Sequence, residues 1–461
     1  MRRVAAASAI LLLVPLFSRP GDLLISAQAQ SDDRPSIVLI VTDDQRPETL
    51  SAMPVLLERL VAHGARFGNA YVPHALCCPA RASILTGNHS HTTNVWRNTL
   101  EGGYANFDES STLATWLQDA GYRTGLFGKY LNHWADVDPT HVPQGWDAWF
   151  AFRENCCSYY GFDASIDGSV TSFGDDVYSA TESAQRAAEF LLAQPEAPTF
   201  VMWTPDGPHA PAHPEVHDAG SYASLPPSRP PNYMEKDVSD KPAWVRAKSI
   251  WAAPKRQDVD ALRRRMFESM RSVDAGLRVI MDALAASDRL SNTLIVFTSD
   301  NGLLLGEHRS MGKAFPWKAG HQVPFVVRYD PLLGSRRSSN EIILTIDIAP
   351  TIAELVGMEA PPMDGTSLLP ILRGDRLRVR ARALIEHGQQ SSSVAPPYCG
   401  VRTRYELFVR YPTREEEYYD YRADPWELDD RSSAPSKRTR VANLRRWVRA
   451  HCSPTPPGFA W

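Results

Sequence analysis

The segment from Cys77 to Gly87 combines residue types that could handle an anion. It reads Cys-Cys-Pro-Ala-Arg-Ala-Ser-Ile-Leu-Thr-Gly, so a proline follows Cys77 by two positions and Arg81 follows it by four. Proline is well tolerated in the first turn of a helix, and four positions are about one helical turn. The N-terminus of a helix offers free N–H groups and a partial positive charge. The segment therefore predicts a nucleophile beside a cation at an anion-binding helix N-terminus.

Oxygen-donor side chains form a second group of candidates. Asp43 and Asp44 follow one short apolar run, and Asp300 and Asn301 follow another. Carboxylate and amide oxygens suit Ca²⁺ or Mg²⁺ better than Zn²⁺. We therefore expect these residues to bind a divalent cation, either Ca²⁺ or Mg²⁺. Cys77 would suit such an ion only if oxygen replaced its sulfur.

Short apolar runs and helical patterns indicate the strands and helices that must position these side chains. Runs rich in Val, Ile and Phe predict buried strands at residues 37–41, 124–127, 200–203 and 294–298. Helical patterns lie at residues 55–62, 113–119, 180–192 and 258–286. Strands that alternate with helices predict an α/β fold with a large, mostly parallel sheet flanked by helices.

Each predicted strand is followed by a polar cluster. Lys129 follows the second strand, and His209 follows the third. Ligands of open α/β sheets bind beyond the carboxyl ends of the strands. We therefore expect Lys129 and His209 to lie close to the acidic residues that follow the other two strands.

These residues resemble the signature of type I sulfatases. That signature is Cys-x-Pro-Ser/Ala-Arg followed by Leu-Thr-Gly, and it matches residues 77–81 and 85–87. Similar segments extend along nearly the whole chain after residue 29, at residues 43–44, 128–129, 208–211, 298–302, 312–313, 346–351 and 363–370. Within the family, the sequence is most similar to N-acetylglucosamine-6-sulfatases and to bacterial arylsulfatase-like relatives.

The resemblance implies an alkaline-phosphatase-like fold and hydrolysis of sulfate esters. It implies that a formylglycine-generating enzyme converts Cys77 to formylglycine (3-oxoalanine), whose hydrate is the nucleophile. By the same resemblance Arg81 orients the nucleophile, Lys129 and Lys313 hold the sulfate oxygens, and His209 protonates the leaving hydroxyl.

The resemblance also implies the remaining site residues and the substrate. The metal ligands would be Asp43, Asp44, Asp300, Asn301 and the modified Cys77. Asn98, Asn132 and His308 are candidate substrate contacts. The expected substrates are sulfated sugars, such as 6-O-sulfated N-acetylglucosamine in glycosaminoglycans.

Two other readings remain open from the sequence. On the same scaffold, the chain could be an arylsulfatase or a hydrolase of phosphate or phosphonate esters, because these groups are similar tetrahedral anions. If Cys77 stayed a thiol, the chain could instead be a secreted glycan-binding protein without catalysis.

Composition and the chain ends limit the classes of function. The chain has 461 residues and a formal net charge of −4, which argues against a nucleic-acid-binding protein. Residues 1–29 resemble a cleaved signal peptide: two arginines precede an apolar run too short to span a membrane. We therefore expect a secreted or periplasmic protein with no membrane span in the mature chain. The sequence leaves the oligomeric state open.

The pattern changes after about residue 372. We expect a catalytic domain at residues 30–374 and a C-terminal subdomain at residues 375–461. Short antiparallel strands are predicted at 406–409 and 417–421, and a helix at 444–448. The proline-rich segment 226–248 is a candidate wall of a substrate cleft. In an exported protein cysteines usually pair, and we expect a Cys399–Cys452 disulfide and structural roles for Cys156 and Cys157.

Overall fold

The computed structural model describes residues 33–154, 157–333, 337–390 and 395–461. The signal peptide expected at residues 1–29 and Cys156 lie outside the described residues. The strands are β1 (Ser36–Thr42), β2 (Ala65–Tyr71), β3 (Arg123–Gly128), β4 (Ala148–Phe152), β5 (Asp163–Ile166), β6 (Ser169–Ser172), β7 (Thr199–Thr204), β8 (Thr293–Ser299), β9 (Leu304–Leu305), β10 (Met311–Gly312), β11 (Phe325–Arg328), β12 (Arg337–Leu344), β13 (Ala383–His387), β14 (Tyr398–Arg402), β15 (Glu406–Arg410) and β16 (Glu416–Asp420).

The helices lie between these strands and after the last of them. The α-helices are α1 (Pro54–Arg59), α2 (Cys77–Thr86), α3 (Ser90–Thr93), α4 (Leu113–Asp119), α5 (Trp134–Val137), α6 (Ser179–Ala193), α7 (Ala243–Arg246), α8 (Ala253–Ala286), α9 (Lys318–His321), α10 (Ile348–Val356), α11 (Leu369–Arg373) and α12 (Arg438–His451). Short 3-10 helices lie at Pro47–Ala52, Val61–His63, Tyr104–Asn106, Val216–Asp218, Leu290–Asn292, Thr345–Asp347 and Pro435–Lys437.

A ten-stranded sheet forms the centre of the molecule, in the order β12-β2-β11-β8-β1-β7-β3-β4-β5-β6. The inner strands β8, β1, β7, β3 and β4 are parallel. Strand β11 runs antiparallel to both of its neighbours, and β5 and β6 add an antiparallel edge. The α/β fold with a mostly parallel sheet is therefore confirmed, and all four predicted strands lie in this inner region.

Helices cover both faces of the large sheet. Alternate residues of β1 point to opposite sides: Leu39 belongs to one buried apolar cluster and Val38 to the other. The first cluster includes side chains of α2, α4 and α10, and the second includes side chains of α6 and α8. A parallel strand buried on both faces is expected to be apolar throughout, which explains the uninterrupted run in β1.

A smaller antiparallel sheet follows, in the order β13-β14-β15-β16. Helix α12 packs on one of its faces, and the predicted Cys399–Cys452 disulfide joins β14 to the residue after this helix. The opposite face packs against Val238, Phe315 and Trp317 of the preceding chain. The predicted C-terminal strands and helix are confirmed, whereas the boundary after residue 374 remains a prediction.

Segment 226–248 packs against the C-terminal sheet through Val238 and Val245. Its predicted role as a cleft wall remains a prediction. Cys157 is disulfide-bonded. Among the described residues, none of the helices combines the length and the apolar character that crossing a membrane requires.

Candidate active site

Helix α2 begins at Cys77, at the residue that the sequence pattern indicated. Leu76 before it is extended, and all residues of α2 are buried. The backbone N–H of Cys78 donates a hydrogen bond to Oδ1 of Asn98, 2.9 Å away. The backbone N–H groups in the first turn of a helix have no acceptor within the helix, and this contact provides an acceptor for one of them. Asn98 therefore lies beside the nucleophile position and supports the start of α2.

The acidic residues meet where β1 and β8 end. These strands are parallel neighbours with Thr42 opposite Ser299, so the residues that follow them are adjacent. The backbone N–H of Asp44 donates to Oδ1 of Asp300 at 3.2 Å, and Nδ2 of Asn301 donates to Oδ1 of Asp44 at 2.5 Å. The structure thus brings the predicted oxygen donors together.

Three cationic side chains contact these acids. Nε of Arg81 donates to Oδ2 of Asp300 at 2.9 Å, and its Nη2 donates to Oδ2 of Asp43 at 3.3 Å. Lys129 also donates to Oδ2 of Asp43. Nζ of Lys313 lies 2.7 Å from Oδ1 of Asp44. A sulfate group would meet an array of positive charges here, although the bulk composition is slightly acidic.

Sγ of Cys77 faces this cluster. It lies 2.7 Å from Nζ of Lys313 and 3.6 Å from Oδ1 of Asp43. Cys77 and Cys78 are both free and buried. Burial, followed by the charge of Asp43, raises the pKa of the Cys77 thiol to about 12. An unmodified thiol at this position is therefore protonated at neutral pH and is a weak nucleophile.

The acids differ in their affinity for a proton. Burial alone would raise the pKa of Asp43, but the charges of Lys129, His209, Lys313 and Arg81 together lower it below its usual range. Burial and the neighbouring charge of Asp43 raise the pKa of Asp300. Asp300 is therefore the better proton acceptor of these two carboxylates.

The donor set fits a hard divalent cation. Asp43, Asp44, Asp300 and Asn301 are all buried, and they offer carboxylate and amide oxygens. Oδ1 of Asn301 is buried and has no hydrogen-bond partner among the described residues. Such an atom is rarely left unsatisfied in a folded protein, and a cation would satisfy it.

His209 approaches the cluster from the loop after β7. Its Nδ1 donates to the carbonyl oxygen of Ala210 at 2.7 Å, which leaves Nε2 facing Oδ2 of Asp44 at 3.5 Å. The hydroxyl of Tyr159 donates to the carbonyl oxygen of His209 at 2.6 Å and holds this loop. Because Nδ1 uses its proton in this bond, Nε2 carries a proton only in the cationic form of the ring, and in that form it can donate the proton to a leaving group.

The other two candidate substrate contacts have different surroundings. Asn132 is buried, and its backbone hydrogen-bonds the thiol of Cys78. His308 is fully buried; its Nδ1 lies 2.6 Å from Glu235 and its Nε2 lies 3.8 Å from Glu427. The structure therefore places the ring of His308 between two glutamates and does not bring it into the catalytic cluster.

Asp206 is a site residue that the sequence analysis missed. It is buried in the loop between β7 and His209. The backbone N–H of Asp43 donates a hydrogen bond to the carbonyl oxygen of the next residue, Gly207, at 3.2 Å. Burial raises the pKa of Asp206 to about 7, with Lys129 opposing this shift. The available signal was its position in the same polar cluster as His209.

Comparison with known families matches two sequence models. Residues 35–358 match the model described as Sulfatase. The chain belongs to the sulfatase family. Residues 306–451 also match the model described as N-sulphoglucosamine sulphohydrolase, C-terminal. The resemblance inferred from the residues is therefore confirmed, and this sulfatase is a sulfuric ester hydrolase.

Two curated relatives are similar over most of their length. N-acetylglucosamine-6-sulfatase of Homo sapiens is 33% identical over 420 residues, which cover 86% of this chain and 75% of that protein. N-acetylglucosamine-6-O-sulfatase of Bacteroides thetaiotaomicron is 25% identical, over 91% of this chain and 86% of that protein.

Two solved structures share the fold. The structure of BT4656 in complex with its substrate D-glucosamine-2-N,6-O-disulfate has a TM-score of 0.76 at 22% identity, and the match covers 91% of this sulfatase and 97% of that chain. Phosphonate monoester hydrolase of Agrobacterium radiobacter has a TM-score of 0.72 at 20% identity, with 91% and 96% covered. The fold is therefore common to sulfatases and to a phosphonate hydrolase, and it does not by itself select the substrate.

Proposed function

We propose that this sulfatase removes 6-O-sulfate from N-acetylglucosamine residues of glycosaminoglycans, after a formylglycine-generating enzyme has converted Cys77 to formylglycine. One observation carries the proposal: the side chain of Cys77 lies among the oxygen donors and within 2.7 Å of Nζ of Lys313. The names of the human and Bacteroides relatives support the choice of sugar and position.

Two properties of the site make an unmodified Cys77 thiol unsuited to the proposed attack. Its thiol has a pKa raised to about 12, so little thiolate is present at neutral pH. A soft sulfur also suits a hard, oxygen-preferring cation poorly. The hydrated aldehyde of formylglycine replaces the sulfur with two hydroxyl groups. Their oxygen atoms suit a hard cation, and one of them can attack the sulfur atom of the sulfate ester.

The reaction then proceeds in two steps at residue 77. One hydroxyl attacks the sulfur atom, its proton passes to Asp300, and the bond between sulfur and the sugar oxygen breaks. The second hydroxyl then passes its proton to His209, which has given its own proton to the departing sugar oxygen. The carbon–oxygen bond to the sulfate breaks, and the aldehyde forms again. Water hydrates the aldehyde for the next cycle, so no water has to attack a sulfated enzyme.

The cationic residues stabilise the charge that develops on the sulfate oxygens. Lys313 has a partly exposed side chain and contacts Cys77, so it can reach both the nucleophile and the sulfate. Lys129 and Arg81 both form ion pairs with Asp43. Their positions are therefore fixed before the substrate binds. A divalent cation, Ca²⁺ or Mg²⁺, held by Asp43, Asp44, Asp300 and Asn301 would supply further positive charge at this point.

The leaving group is a sugar hydroxyl, which departs poorly as an alkoxide. His209 presents Nε2 toward the cluster and donates its proton to the departing oxygen. After the reaction, the proton that Asp300 accepted can return to solvent. Asn98 and Asn132, near the start of α2, are proposed to contact the sugar.

We also propose that the protein acts outside the cytoplasm, either secreted or in the periplasm. Residues 1–29 have the pattern of a signal peptide, and disulfides such as Cys399–Cys452 persist mainly in oxidising compartments. Relatives that are named extracellular sulfatases support the same location.

A panel of esters tests the proposed function. Purified protein would be assayed on defined saccharides sulfated at O-6 of N-acetylglucosamine or at other positions, and on 4-nitrophenyl sulfate and 4-nitrophenyl phosphate. The proposal predicts the highest kcat/KM for the 6-O-sulfated sugar, loss of turnover in Cys77→Ala, and activity in the control Cys78→Ala. Faster turnover of the phosphate ester would favour a phosphoesterase. An unmodified Cys77 together with no turnover of any sulfate ester would favour glycan binding alone.

A further inference from the structure

A second group of metal-ligating side chains lies outside the catalytic cluster. His89, His91 and Glu386 each offer a ligand atom, and these atoms lie within 4.8 Å of one another. Nδ1 of His91 lies 2.8 Å from Oε2 of Glu386, and the ring centroids of the two histidines are 5.2 Å apart. We propose that these three residues form a second metal site, which binds Zn²⁺.

Backbone contacts hold the three residues in place. The backbone N–H of His91 donates to Oε1 of Glu386 at 3.0 Å, and that of His89 donates to Asp364 at 2.9 Å. Glu386 lies on β13, directly opposite Cys399 of β14. The side chains are therefore already close together before any ion binds, which lowers the entropic cost of binding.

A buried nitrogen atom of His89 also indicates a ligand at this position. His89 is only 8% exposed, and its Nδ1 has no hydrogen-bond partner among the described residues. Buried polar atoms are nearly always satisfied by protein, water or an ion. His89 also lines a cavity of 260 Å³, which is large enough for an ion with its water. His451 lines the same cavity, but its Nδ1 lies 2.8 Å from the carbonyl oxygen of Trp447, so water is the expected fourth ligand.

The kinds of ligand atom select the ion. Two imidazoles and one carboxylate suit Zn²⁺, whereas Ca²⁺ prefers oxygen ligands only. The ion would replace the proton now shared by His91 and Glu386, and these two atoms would have to separate by about 0.5 Å to allow zinc–ligand distances of about 2.0–2.2 Å. Binding would therefore release a proton.

The charges around the cavity are compatible with a cation. Arg380 and Arg382 line the cavity, but Arg380 is ion-paired with Asp347. Asp364 and Glu386 add two negative charges on the same side. The local charge without an ion is therefore not positive.

The site would join two parts of the chain. His89 and His91 follow α2, the helix that begins with Cys77, and Glu386 belongs to the small C-terminal sheet. An ion that binds only the folded form raises stability by mass action. We therefore expect Zn²⁺ to stabilise the protein without taking part in the chemistry at Cys77.

Zinc titration of calcium-saturated protein without an affinity tag tests the proposal. Excess Ca²⁺ fills the oxygen-rich catalytic cluster, and calorimetry then measures binding of ZnCl₂ to wild type, to His89→Gln and to the control His217→Gln. His217 is exposed and far along the chain from the cluster. We expect one zinc ion per chain and a raised Tm in wild type and in the control. In His89→Gln we expect the dissociation constant to rise at least about tenfold.

A spectroscopic measurement keeps the proposal falsifiable if His89→Gln folds poorly. Co²⁺ in a four-coordinate site with nitrogen ligands absorbs visible light more strongly than Co²⁺ in a six-coordinate oxygen site. Wild type should show the strong absorption in excess Ca²⁺, and Glu386→Gln should lose it. The proposal would be overturned if wild type did not bind zinc. It would also be overturned if His89→Gln and Glu386→Gln bound zinc with the same affinity as wild type.

Discussion

Nζ of Lys313 lies 2.7 Å from Sγ of Cys77 and 2.7 Å from Oδ1 of Asp44, so one ammonium group links the nucleophile position to the oxygen donors. Lys313 follows the short strand β10, and the next residue, Ala314, donates its backbone N–H to the carbonyl oxygen of Ala75 at 2.8 Å. This bond fixes the Lys313 loop against the segment that leads into α2.

Replacement of Lys313 tests its role in charge stabilisation. We expect Lys313→Ala to lower kcat by about 100- to 1000-fold, the usual loss when one donor to a developing negative charge is removed. Lys437→Ala is the matched control, because Lys437 pairs with Asp420 in the C-terminal sheet. Steady-state kinetics on a sulfate ester would measure both. Unchanged kcat in Lys313→Ala would exclude a direct role for this lysine.

Replacement of His209 tests its role as the general acid. His209→Gln should lower kcat for a sugar sulfate by about 100- to 10000-fold. The loss should be much smaller for 4-nitrophenyl sulfate, because nitrophenolate leaves without a proton. His217→Gln serves as the control, since His217 is exposed and contacts Asp218 outside the cluster. An equal loss on both substrates would contradict proton donation by His209.

The unsatisfied oxygen of Asn301 predicts a dependence on metal. Removal of divalent cations with a chelator should abolish activity, and added Ca²⁺ or Mg²⁺ should restore it. In Asn301→Ala, the Ca²⁺ concentration for half-maximal recovery should rise at least about tenfold, because one buried ligand is lost. Asn292→Ala is the control, as Asn292 bonds the backbone of Asp33. Identical calcium titrations for Asn301→Ala and wild type would contradict this ligand assignment.

The buried pairing of His308 predicts a specific effect of pH on stability. Burial opposes the charged form, but hydrogen bonds to Glu235 and Glu427 raise the pKa of His308 from 6.5 to about 9. A raised pKa in the folded state stabilises the protein fully below about pH 6.5, and this contribution disappears as the pH rises through 9. The shift corresponds to roughly 3 kcal/mol.

Urea unfolding of wild type and His308→Gln at several pH values measures this effect. The difference in free energy of unfolding between the two proteins should be largest near pH 6 and should shrink toward pH 9.5. A difference that stays constant across this range would show that His308 does not carry the charge in the folded protein.

The sequence predicted those parts of the structure in which local pattern decides the outcome. Strands β1, β7 and β8 are buried on both faces, so each contains a continuous apolar run that stands out from its surroundings. The parallel arrangement then places the ends of β1 and β8 side by side, which explains why Asp43 and Asp300 could be predicted to meet. The signature at Cys77 supplied the rest of the site.

Strand β12 shows why other elements were missed. It begins with exposed polar residues and is apolar only from Ile342, because it forms an edge of the sheet and pairs with β2 alone. An edge strand with little buried surface has no continuous apolar run to detect. Strand β11 has only four residues, too few for a clear pattern.

His308 shows why the surroundings of a candidate side chain could not be predicted from the sequence. It follows Gly306 and Glu307 in a polar segment that suggested substrate contact. Its partner Glu235 lies 73 residues away in the chain, and its other partner, Glu427, lies in the C-terminal region. Only the packing of segment 226–248 against the C-terminal region brings these glutamates together, so the sequence contains no local signal for them.

The mass of the tryptic peptide 67–81 tests the central claim that formylglycine forms at residue 77. This peptide contains both Cys77 and Cys78, so alkylation of Cys78 gives an internal reference for the reactivity of a thiol. In active protein, we expect a peptide that carries one alkyl group and has lost roughly 18 Da at residue 77. A fully active protein whose peptide carries two alkylated cysteines would contradict the account.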